Sequence, residues 1–298
     1  MNIQALNRGP ILSAIFSAWM GLLLLTCANQ AVAQDDWSQP FPGHRIIGSL
    51  YSVGTYGLSV FLITSDDGHI LINSGLEDST PLIRANIESL GFRLEDVKIL
   101  LSMQAHWDHV AALAEIKELT GAQMLATRGD DRVLEDGGFS DPHFGGEQTF
   151  TPVSVDRRIE AGEVIELGDI ELTVHKHAGH TEGSSSYSML VHEAGRDYKV
   201  VIANMGTINA GKKLIVDPTY PGVAQDFADT FRLQKAMQVD VWVAAHAGHH
   251  QLHEKYQPGD PYDPERFVDP EGFLAQVERL EGIYLEHVAA ETNELESP

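Results

Sequence analysis

Two imidazoles and a carboxylate lie within four residues of one another in the segment Gln104-Ala105-His106-Trp107-Asp108-His109. Histidine nitrogens and carboxylate oxygens bind zinc in proteins, at about 2.0–2.2 Å. The segment follows the apolar run 97–101, whose length and composition predict one buried strand. A strand end gives the side chains of the following loop a rigid support, so the pattern predicts a zinc site there.

Two further loops carry histidines after predicted strands. One contains Gly179-His180-Thr181 and follows the apolar run 170–174, and the other begins at His246, after the run 239–244. Because ligands commonly bind where strand ends meet at one edge of a sheet, we expect the three loops to assemble one site. His180 is the better ligand candidate of its loop because glycines flank it.

The remaining histidines receive no ligand role. His177 is expected to pack or hydrogen-bond beside the site. The general tendency of histidine to lie at intermediate burial predicts surface positions for His249, His250 and His253. His143 and His175 have no supporting context.

Hydrophobic periodicity predicts the elements of the first half. Apolar runs at 58–64 and 69–73 flank Ser65-Asp66-Asp67-Gly68, which indicates a hairpin. A helix is expected to follow, with Thr80 as its cap and Pro81 in its first turn, and to end at Gly91. After the strand 97–101 and the histidine motif, a helix is expected from 110 towards 119.

The second half repeats this arrangement. Strands are expected at 164–167, 170–174, 186–191, 200–202 and 239–244, and a helix at about 223–237. A last helix is expected to begin at Pro270, with Asp269 as its cap. Since no change in composition separates the halves, we expect a single α/β domain.

Composition excludes several classes of partner. The chain has 298 residues and a formal net charge of −23, from 43 acidic and 20 basic residues. Such a charge argues against nucleic acid and anionic membrane surfaces as partners. No glycine-rich phosphate loop is present in the sequence. A monomer is the default expectation.

The N-terminal residues 1–33 are typical of a signal peptide. Arg8 precedes an apolar stretch at 11–25, and Ala31-Val32-Ala33 has the spacing of a cleavage site. The stretch is too short for a comfortable membrane span. We therefore expect export to the periplasm and a mature chain of residues 34–298, without stable membrane insertion. A lipoprotein attached through Cys27 is the weaker alternative, since Thr26 is a poor residue before a lipidated cysteine.

Together, the motif His106-x-Asp108-His109, the segment Gly179-His180-Thr181-x-Gly183-Ser184 and His246 resemble the metallo-β-lactamase superfamily. The resemblance implies a four-layer αβ/βα sandwich with the metal site at the edge between two sheets. Within the superfamily the chain is most similar to class B, subclass B3 β-lactamases, because subclasses B1 and B2 require a cysteine ligand. Cys27 is the only cysteine and lies in the predicted signal peptide.

This resemblance implies two adjacent zinc sites and therefore one or two zinc ions. One set of ligands would be Gln104, His106 and His180, and the other would be Asp108, His109 and His246. Subclass B3 enzymes usually have histidine where Gln104 stands, and glutamine marks a minority, the GOB type. Because a neutral amide oxygen is a weaker zinc donor than an imidazole, we expect the second set to bind zinc more tightly.

The implied activity is hydrolysis of the β-lactam amide bond of penicillins, cephalosporins and carbapenems, which confers antibiotic resistance. Zinc lowers the pKa of a bound water molecule to about 7, so that hydroxide is available at neutral pH. Asp108 is the expected catalytic residue, since it would bind zinc and orient the nucleophile.

Substrate contacts are expected on the loop after 203. Thr207 and Asn209 are candidate hydrogen-bond donors to the small-molecule substrate. Lys212 and Lys213 could meet its carboxylate as mobile point charges. A solvated lysine pair without a specific role is an equal alternative.

Two other functions stay open at this point. Lactonases and thioester hydrolases of the superfamily usually bridge their metals with an aspartate after the strand 200–203, where this chain has Asn204. A non-catalytic zinc-binding protein is the other alternative, with Gln104 as a sign of degeneration. Met205 and Asn73 also depart from the common subclass B3 residues, which are serine and aspartate.

Overall fold

Two β-sheets, built from the two halves of the chain in sequence order, form the centre of the computed structural model, which describes residues 36–296. The seven-stranded sheet runs in the order β1 (His44–Ile47), β2 (Leu50–Ser52), β3 (Phe61–Ser65), β4 (Gly68–Ile72), β5 (Val97–Leu101), β6 (Gln123–Thr127) and β7 (Arg157–Ile159). The five-stranded sheet runs in the order β12 (Val241–Ala244), β11 (Arg196–Ala203), β10 (Ser185–Glu193), β9 (Ile170–Lys176) and β8 (Val164–Leu167). The predicted signal peptide, residues 1–33, lies outside the described residues.

The longer helices cover the outer faces of both sheets. The α-helices of four or more residues within 36–296 are α1 (Thr80–Ser89), α2 (Trp107–Val110), α3 (Leu113–Thr120), α4 (Asp130–Asp136), α5 (Val223–Ala236), α6 (Leu252–Lys255) and α7 (Pro270–Glu296). None of the helices in this range is both long enough and apolar enough to cross a membrane.

Three apolar clusters hold the layers together. The central cluster lies between the sheets and joins residues of both, such as Leu101 and Val200. A second cluster packs α1 and α3 onto the seven-stranded sheet, and a third packs α5 and α7 onto the five-stranded sheet. Full burial of each large apolar side chain contributes about 1.5–3 kcal/mol. The layers therefore follow the order α/β/β/α, and the predicted four-layer sandwich is confirmed.

The central strands are buried on both faces. Every residue of β4 is buried, and β5 leaves only Lys98 exposed. These two strands pair in parallel. Parallel strands covered on both faces read as continuous apolar runs, and the apolar run 97–101 predicted β5 with the bounds it has.

Several predicted element boundaries are confirmed and one is corrected. The hairpin is present, with Ser65 paired to Gly68 across β3 and β4. Helix α1 starts at Thr80, but the cap position belongs to Ser79, whose hydroxyl accepts the N–H of Leu76 at 2.9 Å. The expected cap at Thr80 was therefore wrong by one residue.

The segment between α3 and β8 was not predicted. It contains β6, α4 and β7, of which β7 has only three residues, and two of those are exposed arginines. Such a short, polar strand carries no apolar period. The helix expected from 110 to 119 is also divided, because α2 ends at Val110 and α3 begins at Leu113.

Candidate metal centre

Asn73 supports the loop that carries the histidine motif. Its backbone lies in the left-handed region, with φ of 68°, which asparagine tolerates better than most residues. Its N–H donates to the carbonyl of Leu101 at 2.9 Å, and its side-chain oxygen accepts the N–H of Met103 at 2.9 Å. The backbone just before Gln104 is therefore fixed by the neighbouring strand.

Helix α2 then presents the motif to the space between the sheets. His106 lies at its N-cap, and the N–H of His109 donates to the carbonyl of His106 at 3.0 Å. The carbonyl of His109 accepts the N–H of Ser74 at 2.7 Å. His106, Asp108 and His109 are all buried. Their directions are thus set by backbone contacts on both sides of the helix.

A buried acid holds the loop of His180 in place. Asp130 accepts the hydroxyl of Thr181 and the N–H of Gly183, each at 2.9 Å. Burial raises the pKa of Asp130 to about 7. No pattern in the sequence indicated a role for this residue, since it lies in the segment whose elements were not predicted.

The loop of His246 is fixed by the other half of the chain. Leu58 forms an isolated β-bridge with His246. On either side, the N–H of Ser59 donates to Ala245 at 2.9 Å, and the N–H of Ala247 donates to Gly57 at 3.0 Å.

Asp108, His109 and His246 bring three donor atoms together. The Nε2 atoms of His109 and His246 are 3.2 Å apart, and they lie 3.2 and 3.5 Å from Oδ2 of Asp108. A tetrahedral zinc ion with bonds of 2.0–2.1 Å separates its donors by about 3.3 Å. These three atoms therefore fit one face of a zinc coordination tetrahedron and leave a fourth position.

Two members of the other predicted set also converge. Nδ1 of His106 lies 3.1 Å from Nε2 of His180. The Nδ1–H of His180 donates to the carbonyl of Thr207 at 2.8 Å, which leaves Nε2 with a free lone pair. The side-chain oxygen of Gln104 is buried and has no hydrogen-bond partner within residues 36–296. Gln104 lines the same cavity as these two histidines, so its unpaired amide oxygen and their nitrogens are the donors available to a second metal position.

The protonation states favour metal binding. Burial lowers the pKa of His246 to about 3 and places that of His180 well below its usual range. Burial acts to raise the pKa of Asp108, but His109 and His246 outweigh it and hold that pKa below its usual range. Near neutral pH, His180 and His246 are therefore neutral and Asp108 is ionised, as zinc requires.

All of these donors except the buried His109 line a cavity of about 580 Å³. Trp37 forms part of its wall, with its ring 5.8 Å from that of Trp107 and 5.7 Å from that of His246. A cavity of about 600 Å³ lies on the outer face of the five-stranded sheet, where none of the six donors is found. The cavity of about 580 Å³ is identified as the functional one by the donor atoms in its wall and not by its volume.

The structure separates the four expected substrate-binding residues. Thr207 and Asn209 line the cavity. Lys212 is buried, and its ammonium donates to the carbonyl of His180 at 3.0 Å. Lys213 is exposed and is not part of the cavity wall. The expectation of Lys212 as a mobile charge at the cleft is corrected, because the loop turns its side chain inward behind His180.

Of the three histidines expected at the surface, two have intermediate burial and one is buried. His249 and His253 line the cavity, and the ring of His253 stacks on Tyr56 at 3.7 Å. His250 is buried, with its Nδ1 3.2 Å from the backbone nitrogen of Ala244. The surface prediction is wrong for His250 alone, because the 3-10 turn Ala247–His250 packs this side chain against the end of β12. His177 hydrogen-bonds Ser186 at 2.6 Å beside the site, as expected.

Comparison with known proteins agrees with this geometry. The family model of the metallo-β-lactamase superfamily matches residues 53–192. The class B3 di-zinc enzyme LRA-12 from an Alaskan soil metagenome is 44% identical, with a TM-score of 0.82, and the match covers 85% of this chain and 96% of that one. The metallo-β-lactamase GOB-18 from Elizabethkingia meningoseptica is 42% identical, with a TM-score of 0.83, and the match covers 86% and 95%.

A curated relative has a different name. The chain is 29% identical over 173 residues to a hydroxyacylglutathione hydrolase from Bradyrhizobium sp. strain BTAi1. That match covers 55% of this chain and 57% of the relative, so the chain spans little more than half of that protein.

Proposed function

The chain belongs to the metallo-β-lactamase superfamily, and from this we propose that it hydrolyses the β-lactam amide bond of penicillins, cephalosporins and carbapenems and so confers antibiotic resistance. The observation that carries the proposal is the full-length similarity to a class B3 enzyme, which covers 96% of that chain. Five of the six expected donors line one cavity, and the sixth, His109, is buried with its Nε2 atom 3.2 Å from that of His246.

We propose zinc as the resident metal ion. Asp108, His109 and His246 would hold the tighter ion, and Gln104, His106 and His180 the weaker one. When bound, zinc acidifies a water molecule and polarises the substrate carbonyl. The donor separations of 3.2–3.5 Å in the first set support this assignment.

The chain's own residues orient the reacting groups. The ionised Asp108 accepts a hydrogen bond from the attacking water and directs it towards the lactam carbonyl. A proton released in that step goes to the lactam nitrogen as the amide bond breaks. Trp37 and Trp107 form an apolar wall that shields the reacting groups from bulk water.

Thioester hydrolysis is the second candidate function, supported by the name of the curated relative. The residue after β11 weighs against it. Asn204 is buried, and its N–H donates to the hydroxyl of Ser186 at 2.8 Å. It is not one of the residues that line the cavity, and its amide lacks the charge of a bridging aspartate.

We also propose that the protein works in the periplasm after removal of residues 1–33. Expression of the full chain in a Gram-negative host should give a periplasmic product whose N-terminal sequence begins at Gln34. A membrane-bound product that carries lipid on Cys27 would contradict this proposal.

The deciding experiment compares two substrates on the purified mature protein. Loss of the absorbance of a carbapenem should require zinc and should stop after chelation, whereas S-lactoylglutathione should be hydrolysed more slowly. The reverse preference would favour the thioester hydrolase. Stoichiometric zinc binding without turnover of either substrate would favour the non-catalytic zinc-binding protein.

A further inference from the structure

A glycine-bounded loop, Gly137–Gly146, packs against His106. Two glycines at each end, 137–138 and 145–146, have positive φ, so the loop reverses direction sharply at both ends. Between them, the ring of Phe144 meets the ring of His106 edge-on at 4.9 Å. The loop therefore packs directly against the ring of His106.

Asp141 is the charged residue at the centre of this loop, and its two oxygens have separate partners. Oδ1 accepts the N–H groups of His143 and Phe144, each at 2.7 Å. Oδ2 faces Nε2 of His106 at 3.4 Å. Both side chains are buried, at 6% and 5% exposure. One oxygen shapes the loop and the other is directed at a metal-ligand candidate.

The two ring nitrogens of His106 have different roles if this residue binds a metal ion. Nδ1 faces Nε2 of His180, so it has to present a lone pair if both are to bind one ion. The proton of a neutral imidazole then belongs on Nε2. That atom is buried and makes no hydrogen bond within the described range, and Oδ2 of Asp141 lies 3.4 Å from it.

We propose that Asp141 is a positioning residue, which holds His106 in the tautomer protonated at Nε2 and keeps Nδ1 turned towards the metal site. This inference rests on the proposed zinc site. The distance of 3.4 Å exceeds an ordinary hydrogen bond and leaves room for the contact to shorten when a cation on Nδ1 makes the Nε2–H more acidic. The loop Gly137–Gly146 positions this carboxylate beside His106.

The test uses Asp141→Asn, which keeps an oxygen for the two loop N–H groups and turns an NH₂ group towards His106. Nitrogen NMR of the metal-free protein, with the signal assigned by its loss in His106→Gln, should show the Nε2-protonated form in the wild type. The variant should shift towards the Nδ1-protonated form. An unchanged tautomer in Asp141→Asn, or an Nδ1-protonated wild type, would overturn the proposal.

Zinc affinity provides a second readout. Loss of a hydrogen-bonded partner of a ligand costs about 10–100-fold in metal affinity, so chelator competition should show that loss for the ion at His106 and His180. Asp131→Asn is the matched control. Asp131 is also buried, and it pairs with Arg158 and the N–H of Gly129. Its replacement should leave zinc affinity unchanged.

Asp141→Ser separates positioning from folding. Serine can cap the same loop N–H groups but is too short to reach His106, so this variant should fold and lose zinc affinity as Asp141→Asn does. If Asp141→Ser and Asp141→Asn keep wild-type zinc affinity while their thermal stability falls, Asp141 is only a loop cap. A wild type that binds no zinc would overturn the proposed function as well, which distinguishes the two failures.

Discussion

Gln104 is the donor in which the two ligand sets differ most. Its amide oxygen is neutral, whereas the other set contains the ionised Asp108. Electrostatic attraction to a divalent cation therefore favours the set of Asp108, His109 and His246. The unpaired state of the Gln104 oxygen also shows that the protein offers it no competing partner within residues 36–296.

We expect the protein to be active with one zinc ion per chain. Titration of metal-free protein should restore most of its hydrolytic rate after the first equivalent, because Asp108, which we propose to orient the nucleophile, belongs to the set that we propose to bind zinc more tightly. Metal analysis alongside the rate measurement checks this. A strict requirement for two equivalents would contradict the expected order of the sites.

Replacing Gln104 with histidine should raise zinc affinity more than rate. An imidazole is the stronger donor, so Gln104→His should hold two zinc ions at chelator concentrations that leave one in the wild type. The rate should change by less than about tenfold, which corresponds to about 1.4 kcal/mol in the barrier. A much larger gain in rate would indicate that the natural chain is a degenerate enzyme.

Asp108→Asn should remove both functions of this carboxylate. The rate of β-lactam hydrolysis is expected to fall at least about a hundredfold, the usual contribution of a positioned acid or base. Zinc content after dialysis should fall in parallel. Retained activity with reduced zinc content would show that Asp108 binds metal without orienting the nucleophile.

The donors themselves could be predicted from sequence because their spacing within the motif, and their positions after apolar strands, are local features. The direction of Lys212 could not, because it depends on how the loop after β11 turns. Asp130 and Asp141 were missed for a similar reason. Their partners lie 51 to 53 and 35 residues away in the chain, and a lone aspartate near glycines has no distinctive pattern.

Helix α7 fastens the loop after β11 at its far end. Glu291 is buried, and its carboxylate accepts the N–H groups of Leu214, Ile215 and Val216. Burial acts to raise the pKa of Glu291, but these backbone groups and His287 lower it to about 2. The loop that carries Thr207 and Asn209 is therefore held in place by the last helix of the described chain.

Glu291→Gln should loosen this loop. The amide keeps one acceptor but loses the charge, so we expect unfolding to become about 1–3 kcal/mol easier. Trypsin should cut faster after Lys212 and Lys213. The matched control is Glu294→Gln, an exposed position on the same helix. Equal cleavage rates in the two variants would show that Glu291 does not restrain the loop.

At the level of elements, prediction succeeded where apolar periods are long. Strand β5 has the predicted bounds, and α5 ends one residue before the predicted position. The segment of β6, α4 and β7 was not predicted because its elements are short and its two strands are defined by pairing with strands distant in sequence. Strands β10 and β11 are longer than predicted because their polar ends pair with each other, as far as the cross-strand pair of Glu193 and Arg196.

Burial favours the neutral state of several histidines, and this makes the stability of the whole molecule depend on pH. Burial lowers the pKa of His44 and His249 to about 4 and of His177 and His246 to about 3. In the unfolded chain these side chains return to about 6.5. Between pH 6.5 and the lowered pKa values, the unfolded state binds more protons than the folded state. The free energy of unfolding is therefore highest above pH 6.5 and decreases as the pH falls towards the lowered pKa values.

Metal-free protein should therefore be sensitive to acid. Each buried histidine contributes up to about 1.4 kcal/mol per pH unit in that window. Urea unfolding at pH 7.5, 6 and 5 should show a steep decrease in stability for the chelated protein. The zinc-loaded protein should resist to lower pH, because bound ligands cannot be protonated. Equal stability of the metal-free protein at pH 7.5 and 5 would contradict this expectation.

The order of strands in the sheets has one more consequence. All strands up to Ile159 belong to one sheet and all strands from Val164 onward to the other, so one short turn connects the two layers. Each set of donors, however, takes members from both sides of that turn. A chain divided at Ala161-Gly162 would give complementary fragments, each with an incomplete set of zinc ligands. Zinc would then favour reassembly of the two fragments, because each complete ligand set needs residues of both. The extent of reassembly would therefore measure the concentration of free zinc.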